Sequence, residues 1–199
     1  VDTMSFTVEE SPLITANPSI VNVLCHGDAT GTIDPNATGG TGTLTYLWSN
    51  SLGTSSSVTN LSSGTYTVTV TDAENSTHSE TFNITEPAQA LSATVKETDV
   101  LCKDSLDGGI EIMPSGGTPN YSYAWSGGGT SKDSFGLAVG TYQFTVTDAN
   151  NCTYSSSATL TEPTALSVSL QVDSVICNGE SNGKIFATTT GGTASYAYL

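Results

Sequence analysis

Four thiols are the only side chains in this sequence that could make a covalent cross-link or a soft-metal centre, and their spacing separates the two uses. Cys25, Cys102 and Cys177 recur 77 and then 75 positions apart, while Cys152 stands alone after Asn150-Asn151. Zinc sites draw on cysteine pairs two to four residues apart, and no such pair occurs here. Disulfide chemistry remains. Cys102 precedes a Gly-x-Ile strand and Cys152 follows Thr147-Asp148-Ala149 in the same stretch, so these two are expected to bridge. Closing a loop of about 50 residues is worth up to about 4 kcal/mol on the chain-entropy account. On that assignment Cys25 is unpaired, because Ser76 stands where Cys152 would, and Cys177 is unpaired as well. A bridge of this kind implies an oxidising compartment.

The remaining chemical groups form no catalytic set. His26 and His78 are the only histidines, and the corresponding positions further along hold Lys103 and Tyr154. There is no nucleophile elbow, so the chain is not read as an enzyme. Hard oxygen donors are more plentiful. If Cys102 bonds Cys152, then Asp104, Asp107 and Asp148 are drawn to one edge, where loop carboxylates suit calcium; no other cofactor is expected. The plainer reading is a solvated acidic loop. Asp72 and Asp148, each after a threonine at the end of a strand, suit turns in which the carboxylate binds its own backbone.

The elements that carry these groups are strands. Tyr66, Val68 and Val70 alternate with Thr65, Thr67, Thr69 and Thr71, and Tyr142, Phe144 and Val146 alternate with Thr141, Gln143, Thr145 and Thr147. A period of two means one dry and one wet face. Leu91 to Val95, Ile110 to Met113, Tyr121 to Trp125 and Leu166 to Val172 read the same way. Gly-Gly and Asp-Ala-Asn punctuation separates short strands, which indicates an all-β sandwich. Leu61, Gly64 and Tyr66, matched by Leu137, Gly140 and Tyr142, have the spacing of a tyrosine corner. Trp48 and Trp125 take the mid-strand place where immunoglobulin-like sandwiches bury a tryptophan, so both tryptophans and both tyrosines are expected in the core.

The whole pattern repeats about every 76 residues. Gly39-Gly40 returns as Gly116-Gly117 and Gly191-Gly192, Trp48 as Trp125, and Thr85-Glu86-Pro87 as Thr161-Glu162-Pro163. The expected organisation is a last strand of a preceding repeat over 1–12, sandwiches over 13–88 and 89–164, and the start of a third over 165–199. Phe6-Thr7-Val8 with Glu10 echoes Phe82-Asn83-Ile84 with Glu86, and the register predicts a tryptophan after Leu199. A net charge of −15, with four lysines and no arginine, offers nothing to grip a phosphate backbone, so nucleic acid is not a partner.

Together these residues resemble the SprB repeats of very large adhesins of gliding bacteria. The resemblance is carried by Cys177-Asn178-Gly179 with Gly183-Lys184-Ile185, Tyr123-Ala124-Trp125-Ser126, Gly140-Thr141-Tyr142, Val146 through Cys152, and Glu162-Pro163. It implies tandem immunoglobulin-like or PKD-like sandwiches, type IX export, and display on the outer membrane surface. The function it implies is a non-catalytic stalk of an adhesin for surface attachment and gliding motility. Neighbouring repeats and the secretion or motility machinery are then its partners. Asp2-Thr3-Met4, Asp104-Ser105-Leu106 and Asp173-Ser174-Val175 resemble the O-glycan acceptor pattern of such exported proteins, making Thr3, Ser105 and Ser174 candidates. The rival reading is a secreted polysaccharide-binding module, with Tyr121, Tyr123, Tyr154, Tyr196 and Tyr198 as the aromatics that could stack on a sugar.

Overall fold

Threonine alternating with valine, isoleucine or an aromatic residue leaves one face of a strand dry, and two sandwiches of the structure bury that face between paired sheets. The structure, a computed structural model, describes Met4 and residues 10–198. The expected strand at Phe6-Thr7-Val8 and the candidate Thr3 lie outside the described residues. Those described form fourteen strands and no helix. By its contacts the chain divides into two compact units, 1–91 with 116–119 and 92–115 with 120–199.

In the first unit β1 (Ser19–Val21), β2 (Gly31–Asp34) and β4 (Val58–Leu61) make one antiparallel sheet in the order β1-β2-β4. The second, β3-β5-β6, is built from β3 (Thr45–Trp48), β5 (Gly64–Thr71) and β6 (Thr77–Ile84). Ile33, Val58 and Leu61 from the first sheet meet Trp48, Tyr66, Val68, Val70, Phe82 and Ile84 from the second in one buried cluster. That is a two-layer sandwich.

The second unit repeats the design. Strands β7 (Ser92–Thr98), β8 (Gly108–Ser115) and β10 (Ser134–Leu137) form a sheet in the order β10-β8-β7. A second sheet, β12-β11-β9, holds β9 (Ser122–Trp125), β11 (Gly140–Thr147) and β12 (Thr153–Leu160). Ile110, Ala158 and Leu160 are buried between them, with Val95, Trp125, Leu137 and Tyr142 packed around. The same unit also contains β13 (Ser167–Asp173) paired with β14 (Lys184–Thr190) as a two-stranded sheet. The alternation of Leu166 to Val172 predicts a buried face here, yet β13 is exposed along its length. Its hydrophobic face has no covering layer among the described residues.

Both tyrosine corners close as their spacing predicts. The Tyr66 hydroxyl donates to the Ser62 carbonyl at 2.9 Å and the Tyr142 hydroxyl to the Ala138 carbonyl at 3.0 Å, so the phenol enters the sandwich with its polar end satisfied. Trp48 is buried, and its Nε1–H donates to the Ser55 carbonyl at 2.8 Å. Trp125 makes the matching bond to Ser131 but stays half-exposed.

Neighbouring core positions differ in a compensating way. In the first unit Trp48 packs at a tilt against Phe82 of β6, with ring centroids 6.2 Å apart; in the second Trp125 packs likewise against Phe144 of β11, at 5.6 Å. The position matching Phe144 is Val68, and the position matching Phe82 is Ala158. One benzyl group has moved from the outer strand to the central one, with a smaller residue, Val68 or Ala158, at the other place, the kind of exchange a close-packed core tolerates.

Phe82→Ala should therefore destabilise the first unit by about 3–5 kcal/mol in denaturant unfolding, the usual result of a large cavity. Adding Val68→Phe should restore more than half of that loss, because the new ring takes the place Phe144 holds beside Trp125. No recovery in the double variant would show that the two cores are not interchangeable. Tyr66→Phe should cost about 0.5–1.5 kcal/mol, since it leaves the Ser62 carbonyl without its partner.

Candidate functional site

The loop between β1 and β2, carrying Cys25-His26-Gly27, is tied to the end of β6 by a set of polar contacts. Backbone comes first: Val23 N–H donates to the Thr85 carbonyl at 3.0 Å, and Thr85 N–H donates to Asn22 Oδ1 at 2.9 Å. Glu86 then closes the loop, its Oε2 accepting from Gly27 N–H at 2.6 Å and its Oε1 from Ser63 Oγ at 2.7 Å. His26 Nδ1–H donates to the Pro87 carbonyl at 2.8 Å. Gly27 sits at φ 83°, a conformation that turns its N–H toward the carboxylate with no side chain to obstruct. Those hydrogen bonds, Gly27 foremost and then Ser63, hold the Glu86 carboxyl below its ordinary range against the opposing cost of burial.

The second repeat rebuilds this clasp with different residues. Val100 N–H donates to the Thr161 carbonyl at 3.0 Å, and Thr161 N–H donates to Asp99 Oδ1 at 2.6 Å. Glu162 Oε2 accepts from Asp104 N–H at 2.8 Å, with Asp104 in the left-handed region at φ 61° where Gly27 stands in the first repeat. Lys103 Nζ supplies the second donor, 3.0 Å from Glu162 Oε1. Its partnership with Glu162, and then with Asp104, raises the Lys103 ammonium above its usual value; the Asp104 N–H and Lys103 lower Glu162.

A second polar site occupies the opposite end of each sandwich. Asp72 is buried, its Oδ1 accepting from Glu74 and Ser76 N–H groups at 2.9 and 2.8 Å and its Oδ2 from Thr41 N–H at 2.8 Å. The Thr41 bond is the largest cause of its lowered pKa. Asp148 caps its own turn in the same manner, accepting from Asn150 and Cys152 N–H groups at 2.8 and 2.9 Å. The adjoining Gly-Gly turn holds the entering chain through Gly40 N–H to the Pro12 carbonyl, Gly117 to Gln89 and Gly192 to Thr164. A side chain on Gly39, Gly116 or Gly191 would run into the carbonyl of Leu13, Ala90 or Ala165, which explains the glycine in all three copies.

This geometry corrects the expected cross-link. The cysteines held in disulfides are Cys25 and Cys152, whereas Cys102 and Cys177 are free, exposed thiols. Within the second repeat Cys102 belongs to the loop beside Thr161 and Cys152 to the turn before β12. The eight residues of β12 stand between them. At a rise of about 3.3 Å per residue this is roughly 25 Å, far beyond the roughly 7 Å that a disulfide permits between Cα atoms. The same strand separates the calcium candidates. Asp104 and Asp107 lie in the loop, Asp107 accepting from Leu101 N–H at 3.1 Å, while Asp148 lies at the far end capping its turn. The three do not assemble, and no cluster of three metal-ligating side chains occurs among the described residues. Ser105 is half-buried, its N–H donating to the Cys102 carbonyl, and Ser174 is exposed. His78 lies 3.7 Å from Glu80, both half-buried on the face of β6 that also carries Phe82 and Ile84. Tyr121, Tyr123 and Tyr154 are half-buried; burial pushes the Tyr123 hydroxyl up. Only Tyr196 and Tyr198 among the five present exposed rings.

Three segments match the SprB repeat: residues 17–53, 94–130 and 169–199. The chain belongs to the SprB repeat family. Each of the first two matched segments runs from the strand before the cysteine loop past the tryptophan, so the clasp carboxylates Glu86 and Glu162 lie outside them. Among solved structures the chain is similar to the crystal structure of Down Syndrome Cell Adhesion Molecule (DSCAM) isoform 1.30.30, N-terminal eight Ig domains. Identity is 16% and the TM-score 0.35, over 92% of this chain and 33% of that one. The chain thus spans about a third of that structure. No curated protein matches it.

Glu86 and Glu162 are the residues that reading the sequence missed as a site. Both stood out as recurring Glu-Pro landmarks, and the signal that could have found them is the glycine-compatible position two residues after each loop cysteine. Because folding lowers their pKa values, the stability they supply is complete above their ordinary value of 4.5 and is lost as pH falls through the lower folded values. Melting temperature should accordingly fall as pH drops below 4.5. Replacing both with glutamine should lower it at pH 7 and flatten that part of the acid profile. An unchanged profile would remove the clasp as a source of stability.

Proposed function

We propose that this chain is a run of non-catalytic structural repeats from the stalk of a large bacterial surface adhesin, acting in attachment and gliding motility. In this reading the protein is exported by the type IX route and displayed at the outer membrane. Its partners are neighbouring repeats and the secretion or motility machinery, and its domains are the repeats 13–88, 89–164 and 165–199. SprB family membership supports it, as do disulfide-bonded cysteines, which belong to an oxidising space.

The observation that carries the structural role is how the chain is held at each repeat boundary. Pro87 is bonded to the cysteine loop and Gln89 to the Gly-Gly turn, leaving Ala88 alone between the two ties. Glu162 and Thr164 are held the same way, with Pro163 between them. Proline fixes φ as well. A chain tied on both sides of a single residue is suited to transmit tension rather than to fold over a ligand.

A polysaccharide-binding role has one feature in its favour, a shallow groove of about 530 Å³ on the outer face of β9-β11-β12, lined by Gln143, Thr145, Ser155 and Ser157 among others. Its hydroxyls and amide could meet a neutral glycan. Two experiments separate the readings. In cells bearing the parent adhesin, replacing these repeats with an unrelated sandwich array of equal length should preserve attachment, and shortening the array should reduce it. Saturable retention of this chain on immobilised polysaccharide, abolished by Gln143→Ala, would instead establish a binding module.

A further inference from the structure

The sheet β13-β14 presents an apolar face that its two counterparts bury. Ile33 and Ile110 are fully buried, whereas Ile185 at the same place is 69% exposed. Across the strands Val172 pairs with Ile185 and Leu170 with Ala187, so Val168, Leu170 and Val172 share that face with Ile185 and are open to water too. In the first repeat the equivalent face is covered by β3-β5-β6, and in the second by β9-β11-β12. On the far side, β2 and β8 each carry a further strand, β4 and β10, while β14 has only β13 as neighbour. Internal repetition thereby specifies the occupant: three strands of the β9-β11-β12 kind for the face, with one strand like β10 for the edge.

A second observation lies at the end of the same face. In the first repeat the turn after β5 sits against Thr41, with Thr41 N–H donating to Asp72 at 2.8 Å and Ala73 N–H to the Thr41 carbonyl at 2.9 Å. Thr193 is the counterpart of Thr41, and its hydroxyl donates to the Leu101 carbonyl at 3.3 Å, next to Cys102. Cys102 lines a groove of about 410 Å³ together with Leu166, Val168 and Tyr198. A covering sheet seated on β13-β14 would therefore bring its own turn, the place Cys152 occupies in the second repeat, to the free Cys102 thiol. Both cysteine positions are known in oxidised form, the loop position at Cys25 and the turn position at Cys152.

We propose that the β13-β14 face and Cys102 together receive the second half of an SprB repeat, three strands of the β9-β11-β12 kind with one like β10, and that its turn cysteine forms a disulfide with Cys102. In the bonding step two thiols lose two protons and two electrons to form the S–S bond. An external disulfide such as oxidised glutathione takes them up and becomes two thiols. The inference goes beyond the adhesin reading, and its failure would leave that reading intact.

The test is the full chain with its own residues 125–164 appended after Leu199, in register because Tyr198-Leu199 matches Tyr123-Ala124. Amides of β13 and β14 should gain at least a hundredfold in exchange protection over the unextended chain. After treatment with oxidised glutathione, Cys177 should be the only thiol open to alkylation, with the peptide of Cys102 linked to that of the appended turn. Changing the appended turn cysteine to serine should keep the protection and leave Cys102 reactive. As a control on folding, Leu170→Ser should lower the melting temperature of the extended chain and leave that of the unextended chain unchanged. Unprotected β13-β14 amides, or equal effects of Leu170→Ser in both chains, would overturn the docking. Protection with Cys102 still reactive would overturn the bond.

Discussion

A strand that is dry on one side cannot be left as a single layer, and the rest of this structure follows from that constraint. Val68, Val70, Val146 and Ile110 are fully removed from water only because two sheets close on them. Each repeat is small, so the apolar area it can bury is limited and its ends weigh heavily in the balance. The tyrosine corners let an aromatic ring enter the gap without burying an unpaired hydroxyl. A tryptophan-phenylalanine pair recurs in both sandwiches, and because the pair needs volume rather than a particular partner, Phe82 and Phe144 can serve from different strands.

Closing the sandwich leaves its two ends with backbone groups that no strand satisfies, and carboxylates take that task at both. Asp72 and Asp148 accept from N–H groups of their own turns, Asp72 from Thr41 as well; Glu86 and Glu162 each accept from one N–H of the cysteine loop. Acidic residues suit these places because an exposed loop presents donors, and a carboxylate offers two oxygens to several of them. The loop sequence can then vary. Histidine with glycine in the first repeat and lysine with aspartate in the second both present an N–H at the same point to the same carboxylate.

Strand periodicity, tyrosine corners and the Asp72 and Asp148 turns were legible in the sequence because each depends on neighbours within a few residues. The cysteine pairing was not. It was inferred from membership of one repeat, and membership says nothing about which end of an eight-residue strand a side chain occupies. Cys102 and Cys152 belong to the same sandwich and to opposite ends of it. Asp104 and Asp107 are separated from Asp148 for the same reason, since grouping them assumes that bond. The clasp escaped notice because Glu86 and Gly27 are far apart in sequence, and a Glu-Pro step also reads as an ordinary linker.

The acidic balance of the chain takes on a definite meaning in this light. Four lysines cannot neutralise nineteen acids, and Lys96, Lys103 and Lys132 each already lie within ion-pair distance of a carboxylate. Backbone donors rather than cations therefore do most of the holding at the repeat ends. Three of the four carboxylates that do this work, Asp72, Asp148 and Glu86, accept hydrogen bonds from backbone N–H groups or a serine hydroxyl. Contacts of that kind depend on short-range geometry and are less exposed to screening than surface ion pairs. Glu162, which adds Lys103 to its backbone donor, is the exception, so the second clasp should be the more salt-sensitive of the two. A high negative charge and firmly tied repeat ends are then compatible, since the acids spread over the surface keep the chain soluble and the few at the ends are committed to the backbone.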